Sequence, residues 1–405
     1  MLQCEIIQRQ LLALLRAYLT EQPPDAALFQ QTDWDALRRE AELQTVSGFA
    51  CTAAARLPAD DRPDAARLAQ WQCETMTAYL HFAALFAAQQ DFCGVLERAG
   101  VPVCIWKGFA AAAAYPEPEL RAMGDVDALV PPERMDDARN ALLRAGYALK
   151  KEENDEDMHL GFQKDGAVFE VHRSVTSGVS LPAGFLQACL DGRKTVQTAY
   201  GDFPALDDTA HACAMLLHML RHFVSSGFGL RQLYDWAFWL RNVPVDAEQV
   251  LELARAVGAE QFLYATTRVC VDWFGLQDRY GWAERIDGSV SDAMLEDILI
   301  GGNWGLKEDN RTYSLVFTAT EGRAASGRAA QMTAKLDRLA EELCPWTRSH
   351  PAARALLWGP VCIQFMWRVL TGKRSMPHLA QAQDIAARRN AMFAQLGLSS
   401  TDKRE

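Results

Sequence analysis

The stretch that decides the fold is WKGFAAAAAYPEPELRAMGDVDALV, residues 106–130. The apolar run at residues 101–106 predicts a short strand that ends at Lys107-Gly108. The alanine-rich run at residues 109–114 predicts a short helix, and residues 126–130 form a second apolar run, which prolines end. The stretch therefore predicts a strand, a helix and a second strand in succession.

The residues that follow continue this alternation. Apolar side chains at helical spacing in residues 135–145 predict a helix that Gly146 caps. Residues 159–164 and 167–172 are apolar runs around Asp165-Gly166, and Asp-Gly between such runs is the strongest short-range sign of a hairpin. We therefore predict an α+β fold with a small mixed sheet and helices.

Helices are predicted on both sides of this unit. Helical spacing begins at Ile6, a long run without a breaker leads to Gly100, and the capping residues Asp207, Asp208 and Thr209 open a further helix. We therefore predict an N-terminal helical region, an α/β core and a C-terminal helical region, at residues 1–98, 99–202 and 203–405 respectively.

The composition is that of a folded protein with a large core. The chain has 405 residues, of which 49% are hydrophobic and 23% charged, a balance that excludes extensive disorder. The net charge of −11 argues against nucleic acid as a partner, because proteins that coat nucleic acid need a basic face. This charge is still compatible with a local basic pocket for one phosphorylated ligand.

The cysteines and the apolar runs indicate a reducing, aqueous compartment. The ten cysteines are scattered without a C-x-x-C pair, which argues against a disulfide scaffold and against a zinc ribbon. Residues 1–19 carry charges through their apolar stretch, unlike a secretory signal. Residues 355–370 are too short and too interrupted for a membrane span, which needs about 20 apolar residues. We therefore expect a cytoplasmic protein with no membrane span.

Three acidic residues carry the chemistry that the sequence indicates. Asp125 and Asp127 are separated by one residue at the start of a predicted strand, so they point to the same face. Glu170 lies between Phe169 and Val171 in the hairpin, and these apolar neighbours place it opposite the core side. Because carboxylates on one face repel each other, a hard cation such as Mg2+ is their natural counter-charge. The alternative is a set of solvent-facing strand acids.

The turn before these acids favours a bound phosphate. Gly108 lets a phosphate approach the backbone, a helix that begins there offers free N–H groups, and Lys107 adds positive charge. Arg121 would add a second cation. A phosphate turn followed by a carboxylate pair predicts a site for a nucleotide and a metal ion, and the acids allow two-metal phosphoryl transfer.

Together these motifs resemble the polymerase-β-like nucleotidyltransferase superfamily, and more narrowly its branch of largely uncharacterised bacterial nucleotidyltransferases. The matching residues are Lys107-Gly108, Tyr115-Pro116, Arg121, Asp125/Asp127 and Glu170/His172. The segment HMLRHFVSSGFGLRQLYDWAFWL is also similar, with matches at His222, Leu230, Arg231 and Asp235. The wider superfamily usually has Gly-Ser or Gly-Gly at the phosphate turn, whereas this chain has Phe109 after the glycine.

The resemblance implies a nucleotidyltransferase-type fold in which Asp125 and Asp127 bind a divalent metal and Glu170 completes the triad. It places the nucleotide phosphates near Lys107, Gly108 and Arg121. It implies Mg2+-dependent transfer of a nucleoside monophosphate from a nucleoside triphosphate to an acceptor hydroxyl, on a small molecule, a sugar or a protein. Mn2+ is an alternative cofactor. The alternative function is a non-catalytic nucleotide- or partner-binding module, as in a toxin–antitoxin-like pair.

Several further polar residues have more than one interpretation. His172, two residues after the third carboxylate, is either a hydrogen-bonding neighbour of the metal site or a structural histidine. His218 and His222 have the spacing of a zinc clamp on a helix, but a polar helix face that lines a cleft is the simpler interpretation. His222, Arg231 and Asp235 belong either to an acceptor pocket or to a buried polar network.

Overall fold

The computed structural model describes residues 5–151, 159–176, 179–225, 227–308, 311–314, 318, 333, 336–337, 340, 344–348, 350–371 and 379–398. The chain packs as two compact units, Met1–Trp304 and Gly305–Glu405. The strands all belong to the first unit, as far as the described residues go. The three-part division at residues 98 and 202 stays a prediction.

A seven-stranded mixed sheet lies within the first unit. Its strands are β1 (Cys104–Ile105), β2 (Val126–Leu129), β3 (Ala148–Lys151), β4 (His159–Lys164), β5 (Ala167–His172), β6 (Lys194–Thr198) and β7 (Gly201–Ala205). Their order across the sheet is β3-β4-β5-β2-β1-β7-β6. β2 runs parallel to β5 and antiparallel to β1, so the sheet is mixed. The predicted α+β fold class is therefore confirmed.

The hairpin matches its prediction along its whole length. β4 and β5 pair in an antiparallel register that runs outward from the Asp165-Gly166 turn, from Lys164↔Ala167 to His159↔His172. The turn residues have φ angles of 50° and 85°, in the left-handed region that this residue pair accommodates. The hairpin register therefore fixes which side chains of the two strands share a face.

Three strands lie outside the sequence prediction. β3 and β6 are edge strands with few apolar side chains, so neither gives an apolar run. β7 contains Pro204, which normally argues against a strand inside a sheet. β1 has two residues, fewer than predicted, because its pairing with β2 is limited to Cys104 and Ile105.

One face of the sheet carries a hydrophobic core. The helices α4 (Ala65–Arg98) and α6 (Met135–Arg144) contribute to this core. The side chains of β2 and β5 in the core are Val126, Ala128, Phe169 and Val171. Because successive strand residues point to opposite faces, Asp127 and Glu170 lie on the other face.

The other helices of the first unit are α1 (Ile6–Thr20), α2 (Trp34–Leu43), α3 (Ser47–Ala54), α5 (Gly108–Ala112), α7 (Phe185–Asp191), α8 (Asp208–Val224), α9 (Leu230–Asn242), α10 (Ala247–Ala256), α11 (Glu260–Phe274) and α12 (Gly288–Gly301). The N-terminal and later helices pack together. The hydroxyl of Tyr234 donates to the carbonyl of Leu15 at 2.8 Å, and the side-chain oxygen of Gln44 accepts from the backbone of Leu230 at 3.1 Å. Asp207 caps α8 by accepting two backbone N–H bonds, which fixes where that helix begins.

The second unit is helical in its described part. Its helices there are α13 (Arg311–Ser314), α14 (Pro351–Arg354), α15 (Trp358–Leu370) and α16 (Leu379–Gln395). Within the ranges that the structure describes, no helix of either unit combines the length and the apolar character needed to cross a membrane.

Helix α8 carries three histidines that folding shields from water. Burial lowers the pKa of His211 to about 3 and that of His222 to about 3, and it holds the pKa of His218 well below its usual value. The Nε2 atom of His211 accepts a hydrogen bond from the backbone N–H of Lys107 at 3.1 Å. The folded protein therefore keeps these side chains neutral where free histidine is protonated.

We expect the free energy of unfolding to fall as the pH decreases below 6.5, the usual pKa of histidine. The unfolded histidines bind protons there and the folded ones do not, so acid stabilises the unfolded state. The substitution His211→Gln keeps an acceptor for the hydrogen bond from the Lys107 backbone. It also removes one of the three side chains that take up a proton on unfolding. The slope of stability against pH should therefore decrease by up to about 1.4 kcal/mol per pH unit. Urea unfolding from about pH 5 to 6.5 measures this slope; equal slopes in both proteins would contradict the assignment.

Gln89 tests the packing of the core. This residue of α4 is 0% exposed, and neither atom of its side-chain amide has a hydrogen-bond partner in the described structure. Since a buried unpaired amide costs about 1–3 kcal/mol, Gln89→Met should raise the free energy of unfolding by about 1 kcal/mol or more. Gln90 is the control, because its Nε2 donates to the carbonyl of Asp202 at 2.8 Å and Gln90→Met loses that bond. Urea unfolding compares the variants, and a less stable Gln89→Met protein would argue against the orphaned amide.

Candidate active site

A cavity of about 280 Å³ lies between the polar face of the sheet and the helices α8 and α9. All the residues that the sequence predicts for the site line it: Lys107, Gly108, Arg121, Asp125, Asp127, Glu170, His172, His222, Arg231 and Asp235. The fold therefore brings together side chains from β2, β5, the turn after β1 and two later helices.

Three carboxylates converge on the wall of this cavity. Asp127 in β2 pairs with Glu170 in β5, and Asp125 directly precedes β2. One carboxylate oxygen from each of the three residues lies within 4.8 Å of the other two. Carboxylate oxygens are the ligands that Mg2+ prefers in proteins, so the donor set fits a divalent cation.

Asp127 is buried and held by two partners. Its Oδ1 atom lies 2.6 Å from Nζ of Lys107 and 2.8 Å from Nε2 of His172. Burial alone would raise the pKa of Asp127, but Lys107 and His172 favour the ionised form and hold the pKa well below its usual value. Asp127 is therefore a permanent negative charge in the cavity wall.

The other two carboxyl groups have different environments. The charge of Asp127 and burial raise the pKa of Asp125 to about 6. Burial would also raise the pKa of Glu170, but the bond to His172 and the other neighbouring imidazole keep it below its usual value. The site therefore combines one carboxyl group that takes up a proton near pH 6 with two that stay ionised at lower pH.

The Lys107-Gly108 turn connects β1 to α5, as the sequence predicts. The φ angles of the two residues are 55° and 30°, and a lysine rarely adopts such a value. Its backbone N–H is bound by His211, and its Nζ lies 4.2 Å from the ring centre of Trp106, within range of a cation–π contact. These contacts hold the ammonium group beside the carboxylate of Asp127.

Arg121 forms a buried polar network with α9. Its Nε and Nη2 atoms donate to the two carboxylate oxygens of Asp235, both at 2.8 Å. The hydroxyl of Tyr115 donates to the same carboxylate at 2.7 Å. Asp235 therefore belongs to a buried network, which is one of the two interpretations of the sequence. The predicted contact of Arg121 with phosphate stays a prediction, and two of its guanidinium nitrogens already bind Asp235.

Arg231 has fewer hydrogen-bond partners than Arg121 among the described residues. It lies one helical turn before Asp235, and its Nη1 donates to the carbonyl of Ala122 at 2.8 Å. Its Nε atom has no hydrogen-bond partner among the described residues. Arg231 therefore keeps one buried N–H donor without a hydrogen-bond partner among the described residues.

His159 lines the cavity and does not figure in the sequence prediction. Its Nε2 atom lies 3.3 Å from Oε1 of Glu170, and His172 Nε2 lies 3.2 Å from Oε2 of the same carboxylate. The signal for this residue is the Asp165-Gly166 turn, because counting outward from that turn pairs His159 with His172. A predicted hairpin register thus identifies a residue that motif comparison misses.

The two histidines considered as a zinc clamp on α8 do not belong to any group of three or more metal-ligating side chains among the described residues. His218 and His222 contact each other through their rings, with centroids 4.3 Å apart. The clusters of three or more metal-ligating side chains in the described chain both contain Glu170, and neither includes these two histidines. The interpretation as a helix face that lines a cleft therefore agrees with their position in the cavity wall.

Comparison with known proteins gives the family. No curated protein sequence matches this chain. A solution structure of the antibiotic-resistance factor ANT(2'')-Ia is similar at 13% identity and a TM-score of 0.31, over 45% of this chain and 91% of that one. The model of a family described as an uncharacterised nucleotidyltransferase matches residues 30–275, more than half of the sequence. The chain therefore belongs to this nucleotidyltransferase family.

Proposed function

We propose that this protein transfers a nucleoside monophosphate from a nucleoside triphosphate to an acceptor hydroxyl, with the help of a divalent metal. The observation that supports the proposal is the convergence of Asp125, Asp127 and Glu170, with ligand oxygens within 4.8 Å of one another on the cavity wall. Family membership supports the reaction class. The acceptor is a small molecule, a sugar or a protein, and the proposed location is the cytoplasm.

Asp125, Asp127 and Glu170 would hold the metal, because three carboxylate donors suit Mg2+ and also Mn2+. When bound, such an ion would neutralise charge on the phosphate oxygens and lower the pKa of the acceptor hydroxyl. Lys107 bonds to Asp127 Oδ1 at 2.6 Å and keeps that carboxylate ionised and oriented. The ligands are therefore ready without prior loss of a proton from Asp127.

The transfer forms a bond between the acceptor oxygen and the α-phosphorus and breaks the bond from that phosphorus to pyrophosphate. We assign Glu170 to the acceptor side, because its side chain is 26% exposed whereas that of Asp127 is 6% exposed. The proton of the hydroxyl passes to solvent as the new bond forms, and pyrophosphate leaves with the electron pair of the broken bond. Positioning and charge neutralisation supply most of the catalysis.

Arg231 is the arginine that we assign to the triphosphate. Arg231 lines the cavity and has no carboxylate partner among the described residues, whereas Arg121 is occupied by Asp235. In this proposal Arg121 positions α9 through its bonds to Asp235. Arg231 lies four residues before Asp235, so both side chains project from the same face of that helix. Gly108 and Lys107 also line the cavity and would complete the phosphate surroundings.

The metal and nucleotide assignments predict a coupled response. A nucleoside triphosphate should raise the melting temperature of the wild-type protein only when Mg2+ is present, and the Asp125→Asn/Asp127→Asn double variant should lose this effect. The matched control is Asp136→Asn/Asp137→Asn, which removes the same charge from exposed residues of α6. Retention of the shift in the first double variant would refute the metal ligands.

Transfer itself is tested with nucleoside triphosphates labelled on the α- or the γ-phosphate, incubated with cell extract. The nucleotide labelled on the α-phosphate should transfer its label to an acceptor, and the nucleotide labelled on the γ-phosphate should not. The double variant should reduce this labelling at least about a hundredfold, since metal ligation contributes several kcal/mol. Metal-dependent nucleotide binding with no labelled acceptor would favour the non-catalytic binding module.

Substitutions of the two arginines should have different effects, on stability for Arg121 and on nucleotide binding for Arg231. Arg121→Gln leaves the buried carboxylate of Asp235 without its counter-charge, so the free energy of unfolding should fall by about 3–5 kcal/mol. Arg231→Gln removes a charged donor from the cavity and should weaken triphosphate binding roughly tenfold or more. Urea unfolding and titration calorimetry measure the two effects. A stable Arg121→Gln protein with weak nucleotide binding would reverse the two assignments.

A further inference from the structure

We propose that His159, Glu170 and His172 form a second metal site, which takes a first-row transition-metal ion such as Zn2+ or Cu2+ in preference to Mg2+. Binding of this ion does not require the transfer reaction. Any role of the ion toward the acceptor rests on the proposed function, because Glu170 faces that side.

The strand register brings the three ligands together. His159 in β4 is paired with His172 in β5, and Glu170 lies two residues before His172 on the same face. The Nε2 atoms of the two histidines lie 3.3 Å and 3.2 Å from the two oxygens of Glu170. One ligand atom from each residue lies within 4.8 Å of the other two, which is close enough for one ion.

The surroundings restrict these side chains. His159 is 5% exposed and His172 is 4% exposed, and their ring centroids are 4.9 Å apart. Trp106 contacts the His172 ring edge to face, with centroids 5.3 Å apart. Gly161, the residue opposite Glu170 in β4, adds no side chain between the ligands. The ligands are therefore held by the sheet and its packing, and little conformational freedom is lost when an ion binds.

The donor chemistry selects the ion. Mg2+ is bound through oxygen and retains water, whereas imidazole nitrogen suits Zn2+, Cu2+, Fe2+ and Ni2+. Two histidines and one carboxylate leave coordination positions open for further ligands. The neighbouring group of Asp125, Asp127 and Glu170 contains oxygen donors alone, so the two groups differ in ion preference while sharing one carboxylate.

Glu170 connects the two groups. Its Oε1 faces His159 and its Oε2 faces His172, while Asp127 lies beside it in the parallel register of β2 and β5. A carboxylate in this position can serve two ions, as in two-metal phosphoryl-transfer sites. The competing explanation is a hydrogen-bonded cluster without a metal, in which His172 serves Asp127 at 2.8 Å. Metal binding by the nucleotide-free protein decides between them.

The first experiment titrates the metal-stripped full chain with Zn2+ and separately with Mg2+, in a calorimeter and without nucleotide. We expect His159→Ala to weaken the wild-type Zn2+ affinity at least about tenfold and to leave the Mg2+ affinity unchanged. His159→Gln is made in parallel in case the alanine variant does not fold. His81→Ala, which removes an exposed histidine outside the cavity, is the matched control and should bind Zn2+ like the wild type.

A second measurement needs no variant. Pulsed electron paramagnetic resonance on the Cu2+-loaded wild-type protein should detect coupling to imidazole nitrogen, and His159→Gln should reduce it. Unchanged Zn2+ affinity in the His159 variants, an equal loss in His81→Ala, or no nitrogen coupling in the wild type would each overturn the second site. Zn2+ binding without nucleotide transfer would instead refute the proposed function and leave the second site standing.

Discussion

The buried negative charge of Asp127 is the constraint on which the site depends. An ionised carboxylate loses several kcal/mol of solvation in a protein interior unless charged or hydrogen-bonding partners replace the water. Lys107 and His172 supply those partners on one oxygen atom. Since Lys107 follows β1 and His172 ends β5, the two contacts connect the strands on both sides of β2. The charge that serves the cavity therefore also fixes the geometry of its wall.

A second buried charge fixes the helical side of the cavity. Asp235 in α9 binds Arg121 through both carboxylate oxygens and accepts a bond from Tyr115, so the segment before β2 is tied to that helix. Displacing α9 would leave an unpaired buried charge, which is strongly unfavourable. Arg231 lies one turn away on the same helix, so the Arg121–Asp235 pair also restrains the helical turn that carries Arg231.

The sequence predicts those parts of the fold that depend on local signals. The Asp165-Gly166 turn gives both hairpin strands and their register, and the alternation around Asp125 and Asp127 identifies the acidic face. The edge strand β6 and the proline-containing β7 carry no such signal, because their pairing depends on neighbours elsewhere in the sheet.

The sequence predicts which residues line the candidate site but not all of their contacts. Its motif residues all line one cavity, but the partner of Arg121 is a long-range contact with Asp235 that spacing does not reveal. The sequence predicts that Arg121 contacts phosphate, and the tertiary structure pairs two of its guanidinium nitrogens with Asp235. His159 is the opposite case, since the hairpin register alone pairs it with His172. The sequence therefore predicts which residues share a strand face. It does not predict which charged side chains form ion pairs across the fold.

The charge of the cavity differs from that of the whole chain. The protein has a net charge of −11, whereas the cavity wall contains four basic residues, Lys107, Arg121, Arg221 and Arg231, and four acidic ones, Asp125, Asp127, Glu170 and Asp235. The two histidines of α8 in this wall, His218 and His222, add no charge, because burial keeps them neutral. A nucleoside triphosphate would bring several negative charges into this balanced wall, and divalent cations on the carboxylates would bring the matching positive charge. A balanced wall of this kind favours a nucleotide and its metal ions binding together over either binding alone.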